Sequence, residues 1–432
     1  MLSIIGLIGS LALLIYFTMR GINIIISAVF CSLILALTGG LNIIEALTEY
    51  YMEGFTNFFK SWFLIFLAGA IFGKVMEDTR AAQSIAFWFQ EKVGSKGAVL
   101  AVVGASAIMT YGGVSVYIVA FCVYPIAVSL FRHANLPHRF IPAALVFGSI
   151  SFTMTSPGSP EIQNIIPTQH FGTTPMAGGW IGFLGAFIIM IAGGFALQKM
   201  VGKAVKNGET FQLPYKDTTF KHSTNEKLPH ILISLIPLII VVSVVNILSK
   251  YIVTEEAVLV ALVIGALMAW ILMFPYTKTH MTILTKGTEN ALVAIANTCG
   301  VVGFGAVASQ VPAFSTIVDK LTNMPGLEYV GLAIAVTLIA GITGSAAGGL
   351  GIALPILAPI YLAQGLDPGA MHRISAFASG GLDSLPHNGY IVTTVQGVCR
   401  ETHQKAYKPI FMISVVIPTI VLFFVVLLYT FF

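Results

Sequence analysis

Three ionisable residues, Glu161, Asp383 and His387, stand inside long apolar stretches of the chain. Charge at membrane depth is costly and is usually kept for function. A carboxyl taken out of water holds its proton more tightly, and histidine titrates near neutral pH. Each of the three is therefore suited to carry a coupling proton. All three fall where an apolar run is broken. The first break reads Thr155-Ser156-Pro157-Gly158-Ser159-Pro160-Glu161, and the second runs from Gly380 through Asp383, Ser384 and His387 to Asn388 and Gly389. Pro157 and Gly158 end an incoming helix. Ser159-Pro160-Glu161 starts another, with a hydroxyl cap, a proline in the first turn and an acid at the positive dipole end. Gly380-Gly381 and Ser384 with Pro386 repeat that stop and start. Freed carbonyls around Gly158 and Gly381, together with Asp383, also suit sodium. Proton and sodium both stand as coupling ions, and no other cofactor or metal is expected. The plainer reading is that the two acids only stabilise helix starts and that His387 bonds a neighbour.

Two further apolar segments, 97–131 and 329–362, are broken by small and polar residues. Their centres read Tyr111-Gly112-Gly113-Val114-Ser115 and Thr343-Gly344-Ser345-Ala346-Ala347-Gly348-Gly349. Helix N-termini bind anions. Ser115, Thr155, Ser156, Ser159, Thr343, Ser345 and Ser384 add hydroxyl donors, and the breaks contain no Lys or Arg. With Tyr111, Gly112, Gly113, Gly344, Gly348 and Asn388, these residues make the candidate solute site. Dipoles and hydroxyls without a basic side chain suit a small, singly charged, hydroxylated solute better than a polyanion.

The elements that must position these residues are membrane helices. Of 432 residues 56% are hydrophobic and only 9% charged, against about 25% charged in an average soluble domain. This excludes a cytosolic enzyme, a disordered chain and a nucleic-acid binder. Spans of about 20 apolar residues are expected near 2–19, 21–39, 61–76, 137–170, 175–199, 229–249, 254–275, 290–311, 374–398 and 407–430. Spans 137–170 and 374–398 are the interrupted ones, and 97–131 and 329–362 are read as re-entrant hairpins. Glu45, Glu49 and Glu53 read as the wet face of an outer interfacial helix. The residues around Ile85 and around Phe314 read as surface amphipathic helices. Lys60, Lys250, Lys320 and Arg373 fall on outer segments and the remaining 18 of the 22 basic residues on cytoplasmic ones, which by the positive-inside rule places both termini outside. The protein is thus expected to be multi-pass in the cell inner membrane.

Gly73 and Gly305, Gly94 and Gly326, and Gly112 and Gly344 share one offset, and His138-Arg139 recurs as His372-Arg373. The order of spans, hairpin and interrupted span also repeats. The expected fold is an all-α polytopic membrane protein of two inverted repeats, 1–200 and 229–432, each with about five spans and one hairpin. A cytoplasmic linker, 201–228, joins them. Odd-numbered halves in tandem have opposite topology, with the site at the midplane between broken helices. Cys31, Cys122, Cys299 and Cys399 form no CxxC pair and read as packing residues. HExxH, GxSxG and GxxxxGK[ST] are absent, so neither an intramembrane enzyme nor an ATP-driven pump is favoured.

Ala134-Asn135-Leu136-Pro137, the break at 156–160 and the closing 383–389 resemble features of the gluconate:proton symporter (gluconate permease) family of the ion transporter superfamily. The resemblance covers nearly the whole chain and is strongest at Tyr111 to Pro175 and Gly341 to Thr394. It implies an elevator-type transporter: a scaffold that forms a homodimer, and a transport domain, carrying both hairpins, that slides with the solute. Family members typically carry a His-Pro-Gly-Pro type break, whereas this chain has an acid and no histidine at 155–161. That departure points from gluconate toward a shorter hydroxy acid such as 3-hydroxybutyrate. The expected function is cation-coupled import of a small hydroxy-monocarboxylate. Competing readings are a dicarboxylate or citrate carrier, an ion antiporter of the same fold, and a passive channel.

Overall fold

The computed structural model describes residues 2–20, 22–93, 97–114, 116–214, 228–277, 280–322 and 328–431. Ser115 and residues 215–227 of the linker lie outside the described residues.

The first half contains α1 (Leu2–Met19), α2 (Ile24–Gly39), α3 (Ile43–Asp78), α4 (Ala81–Val93), α5 (Ala98–Tyr111) and α6 (Val116–His133). It continues with α7 (138–155), α8 (Ile162–Phe171) and α9 (Gly179–Lys206). The second half contains α10 (Ile231–Leu248), α11 (Thr254–Leu272), α12 (His280–Gln310), α13 (Pro312–Thr322), α14 (Glu328–Thr343) and α15 (Ala346–Ala363). It closes with α16 (Pro368–Ser379), α17 (389–398) and α18 (His403–Phe431). The element order of the first half thus recurs in the second. Among the described residues, eight helices are long and apolar enough to cross a membrane.

Local signals explain most of the boundaries. Asn23 caps α2 by accepting from the Ile25 N–H at 2.9 Å. Asp367 caps α16 by accepting from the Ala370 N–H at 2.7 Å, with Pro368 in the first turn. Both expected interrupted spans are present, as α7 and α8 around 156–161 and as α16 and α17 around 380–388. The segments read as hairpins fold as packed helix pairs, α5 with α6 and α14 with α15. Their first arms have 14 and 16 residues, about 21 and 24 Å at 1.5 Å per residue, and their second arms 18 residues each, with Ala346–Ala363 among the eight helices long enough to cross.

One expectation is corrected. Glu45, Glu49 and Glu53 do not sit on a separate interfacial helix. They open α3, which continues through 36 residues, because no proline or strong stop separates them from the apolar run that follows. Residues 46–51 relieve the helix as a single π segment.

Packing divides the helices into two sets. α3 and α12 lie along each other, flanked by α11 and α2, with α1 on α2 and α10 on α11. The hairpins pack with the broken spans. Here the halves exchange partners: α8 lies on α15 of the other half, and α17 lies on α6. The start of the linker is tied to the foot of the first hairpin. Arg139 donates to both Glu209 carboxylate oxygens at 2.7 and 2.8 Å, and the Phe211 N–H donates to Asn135 Oδ1 at 3.1 Å. Arg139 holds the Glu209 carboxyl below its ordinary range. The stability this pair contributes is therefore present above the ordinary glutamate value and is lost as pH falls through the depressed one. The pair is partly exposed, so Glu209→Gln is expected to cost no more than about 1 kcal/mol. It should flatten the acid limb of a melting-temperature profile taken across pH 3–7.

Candidate functional site

A cavity of about 150 Å³ lies where the two hairpins and the two broken spans meet. Gly113, Glu161, Gly344, Ser345, Asp383 and Asn388 line it together, so both breaks and both tips reach one space. Four helix starts face it: Val116 of α6, Ile162 and Gln163 of α8, Ala346 and Ala347 of α15, and Gly389 and Tyr390 of α17. Its opposite wall is mostly apolar, from Ile24 of α2, Ile65 and Phe66 of α3, Leu262 of α11 and Val301 of α12. Asn297 and Thr298 of α12 are the polar exceptions on that wall. Among the described residues the lining holds no Lys or Arg.

The two acids are held differently. Asp383 is buried, takes a hydrogen bond from Ser384 Oγ at 2.9 Å, and is met by the Ala346 N–H at the start of α15. Its carboxylate thus occupies one of the dipole ends facing the cavity. Glu161 is the cap residue of α8, and its side chain makes no cap bond there. No hydrogen bond or ion pair from another described residue reaches its carboxyl. Ser345 caps α15, its Oγ accepting from the Gly348 N–H at 3.1 Å. Asn388 caps α17 by accepting from the Ile391 N–H at 3.0 Å.

Several expected site residues stand behind the lining rather than in it. The Thr343 hydroxyl donates to the carbonyls of Ala340 and Ser345. Gly348 packs against Val302, and Ser159 Oγ accepts from the Glu161 N–H at 3.4 Å. The Ser384 carbonyl accepts from Tyr407 at 3.0 Å, and Thr155 and His387 are buried. Tyr111, Gly112 and Ser156 line a separate groove between α5, α7, α9 and α10. There Tyr111 donates to the Pro157 carbonyl at 2.8 Å.

The carbonyls of the first break already have donors: Tyr111 on Pro157, and Asn246 on Gly158 at 3.0 Å. Gly381 packs against Thr419 instead of opening toward the cavity. Among the described residues, no group of three or more His, Cys, Asp or Glu side chains gathers to hold a metal ion.

His387 lies against the hairpin tip. Gly344 has φ +57, and a Cβ there would run into the His387 ring. Gly344→Ala therefore combines left-handed strain of about 1–2 kcal/mol with a displaced ring. It is expected to lower the melting temperature and to raise KM for the transported solute, both measurable on purified protein and in vesicles.

Charge counting places Arg373 on an outer segment, but the residue is fully buried. Its guanidinium donates to the carbonyls of Thr155 at 2.6 Å, Pro175 at 3.0 Å and Ala177 at 2.7 and 3.0 Å. It braces the first break from the other half of the chain. Beside it His372 joins Asn164 at 3.1 Å and Thr173 at 2.7 Å. The recurring His-Arg pair is the one sequence signal that points to it. No motif marks Tyr117 and Tyr390. Their rings meet edge to face at 5.5 Å in the cavity wall, close in sequence to residues that the motifs do mark.

Residues 1–428 match the GntP family permease. The chain belongs to the GntP permease family. A Bacillus subtilis (strain 168) transporter, YxjC, is 35% identical, with 99% of each chain covered. A Haemophilus influenzae transporter is 24% identical over 76% of this chain and 75% of its own. Two solved structures share the fold. The Alcanivorax borkumensis YdaH transporter superposes with a TM-score of 0.51 at 14% identity, covering 90% of this chain and 88% of its own. Neisseria gonorrhoeae MtrF, described within a class of antimetabolite efflux pumps, gives 0.52 at 15% identity, covering 90% and 84%. As a GntP permease the protein is an integral membrane transporter and not an enzyme.

Proposed function

We propose that this GntP permease is a secondary active importer of a small hydroxy-monocarboxylate, a gluconate-type sugar acid or 3-hydroxybutyrate, driven by protons. The reading is carried by the convergence of both hairpin tips and both breaks on one small cavity. Helix starts facing that space offer N–H donors to a carboxylate, while Ser345, Asn388 and Asn297 offer partners for a hydroxyl. A lining without Lys or Arg gives a second carboxylate nothing to pair with, which disfavours dicarboxylates. Glu161, in the same space and without a partner among the described residues, is the proton acceptor. Asp383 serves as a fixed anchor for the second hairpin, and His387 as the backing of its tip. The donors already seated on Pro157 and Gly158 make sodium the weaker choice.

The same reading takes the two halves as inverted repeats and the hairpins as re-entrant. The repeated element order and the exchanged packing of α8 and α17 support it. Solute-facing polar groups come mainly from hairpins and broken spans, while the apolar wall comes from the other helices. This favours an elevator in which the first set moves against the second, the second forming a homodimer in the cell inner membrane. The termini face outward and the linker faces the cytoplasm. Uptake of gluconate and 3-hydroxybutyrate into proteoliposomes, under separate pH and sodium gradients, tests the proposal. Accumulation driven by the pH gradient is expected, and accumulation driven by sodium alone overturns proton coupling.

A further inference from the structure

The two helix sets meet along a seam that is almost wholly apolar. Leu238 packs on Gly112, and Val241 and Leu262 pack on Gly113. The adjoining groove takes Leu235, Ile239 and Val242 from α10. Such contacts have no direction, so they resist sliding weakly. Between described residues, one hydrogen bond crosses from α1–α3 and α10–α12 to the hairpins and broken spans: Asn246 Nδ2 of α10 donates to the Gly158 carbonyl at 3.0 Å. The receiving residue is the turn of the first break, with φ +80, three residues before Glu161.

The amide is suited to letting go. Its Nδ2 also donates to the Val242 carbonyl one turn back, at 2.8 Å. If the break moves away, the nitrogen keeps a partner, and release loses a single neutral hydrogen bond.

We propose that Asn246 is a positioning residue, a state-specific latch between α10 and the first break: it holds Gly158 in the arrangement seen here and lets go when the solute-bearing helices move. The release step rests on the elevator reading above, whereas the hold on Gly158 does not.

Two measurements separate these parts. Hydrogen–deuterium exchange on the protein in lipid nanodiscs, for wild type, Asn246→Ala and Asn246→Ser, reports the hold without any solute. Losing one such bond is expected to raise exchange across 156–164 by about twofold to tenfold in Asn246→Ala, less in Asn246→Ser. Peptides covering 380–390 should stay at the wild-type rate. Unchanged exchange at 156–164, or an equal rise at both breaks, overturns the hold. In proteoliposomes, counterflow of 3-hydroxybutyrate by Asn246→Ala is expected to turn over faster than wild type. Slower or equal turnover beside faster exchange at 156–164 overturns the latch. Wild-type protein that exchanges no hydroxy acid overturns the proposed function and the release step with it, while deuterium uptake across 156–164 still decides the hold.

Discussion

Glu161→Gln is expected to abolish concentrative uptake while exchange of solute across the membrane continues. The substitution keeps the size of the side chain and its place at the start of α8, and it removes only the titrating proton. One proton moving with one monocarboxylate is electrically neutral, so the membrane potential adds nothing. An inward gradient of one pH unit then supports about tenfold accumulation. Wild-type vesicles should approach that ratio and Glu161→Gln should stop at unity. Counterflow should persist in the variant, because the cavity, its helix starts and the Asp383 anchor are untouched. Among the described residues the carboxyl of Glu161 has no partner to give up when it takes a proton, unlike Asp383, which is bonded by Ser384 and faces the Ala346 N–H. Asp383→Asn should therefore weaken exchange itself, by loosening the second hairpin. Uphill accumulation by Glu161→Gln would remove Glu161 from the mechanism.

The second large effect concerns Arg373. A fully buried guanidinium holding three carbonyls across the two halves has no solvent to fall back on. Thr155 ends α7, so its carbonyl also carries the negative end of a helix dipole. Arg373→Ala takes the donor from the Thr155 and Ala177 carbonyls, while Pro175 keeps the Gly158 N–H and Asn164 Nδ2, at about 1–3 kcal/mol for each group left unpaired before relaxation. The expected loss is about 3–5 kcal/mol or more, seen as a sharp fall in melting temperature and in the yield of folded protein from detergent. Lysine keeps the charge but cannot reproduce the planar fork, so Arg373→Lys should fold and yet lie well below wild type. The seat is shaped for this side chain: a Cβ on Gly182 would stand 2.9 Å from its Cδ. An Arg373→Ala protein that melts with the wild type would show that the carbonyls find other donors.

Much of this molecule is open to reading from residue order alone. Composition makes it a membrane protein. The Pro/Gly stops and hydroxyl or amide starts mark both broken spans and both hairpins, because a cap is decided by residues within about a turn of it. The Ser345 cap is of that kind, but the hydroxyls expected to restart the broken spans, Ser159 and Ser384, give way to Glu161 and Asn388 at the cap positions. The place of Glu161 and the family itself are visible in the same motifs. Tertiary structure decides the rest. Ser156 and Tyr111 face a groove and the Thr155 side chain lies against Gly380, since a side chain's neighbour depends on how helices cross, which no local pattern encodes. The packing of α8 on α15 and of α17 on α6 joins segments nearly two hundred residues or more apart. Charge counting sends Arg373 to a loop because the rule assumes that cations seek water, whereas here carbonyls take water's place. Local sequence sets where the backbone breaks, and only the packed helices bring those breaks around one space.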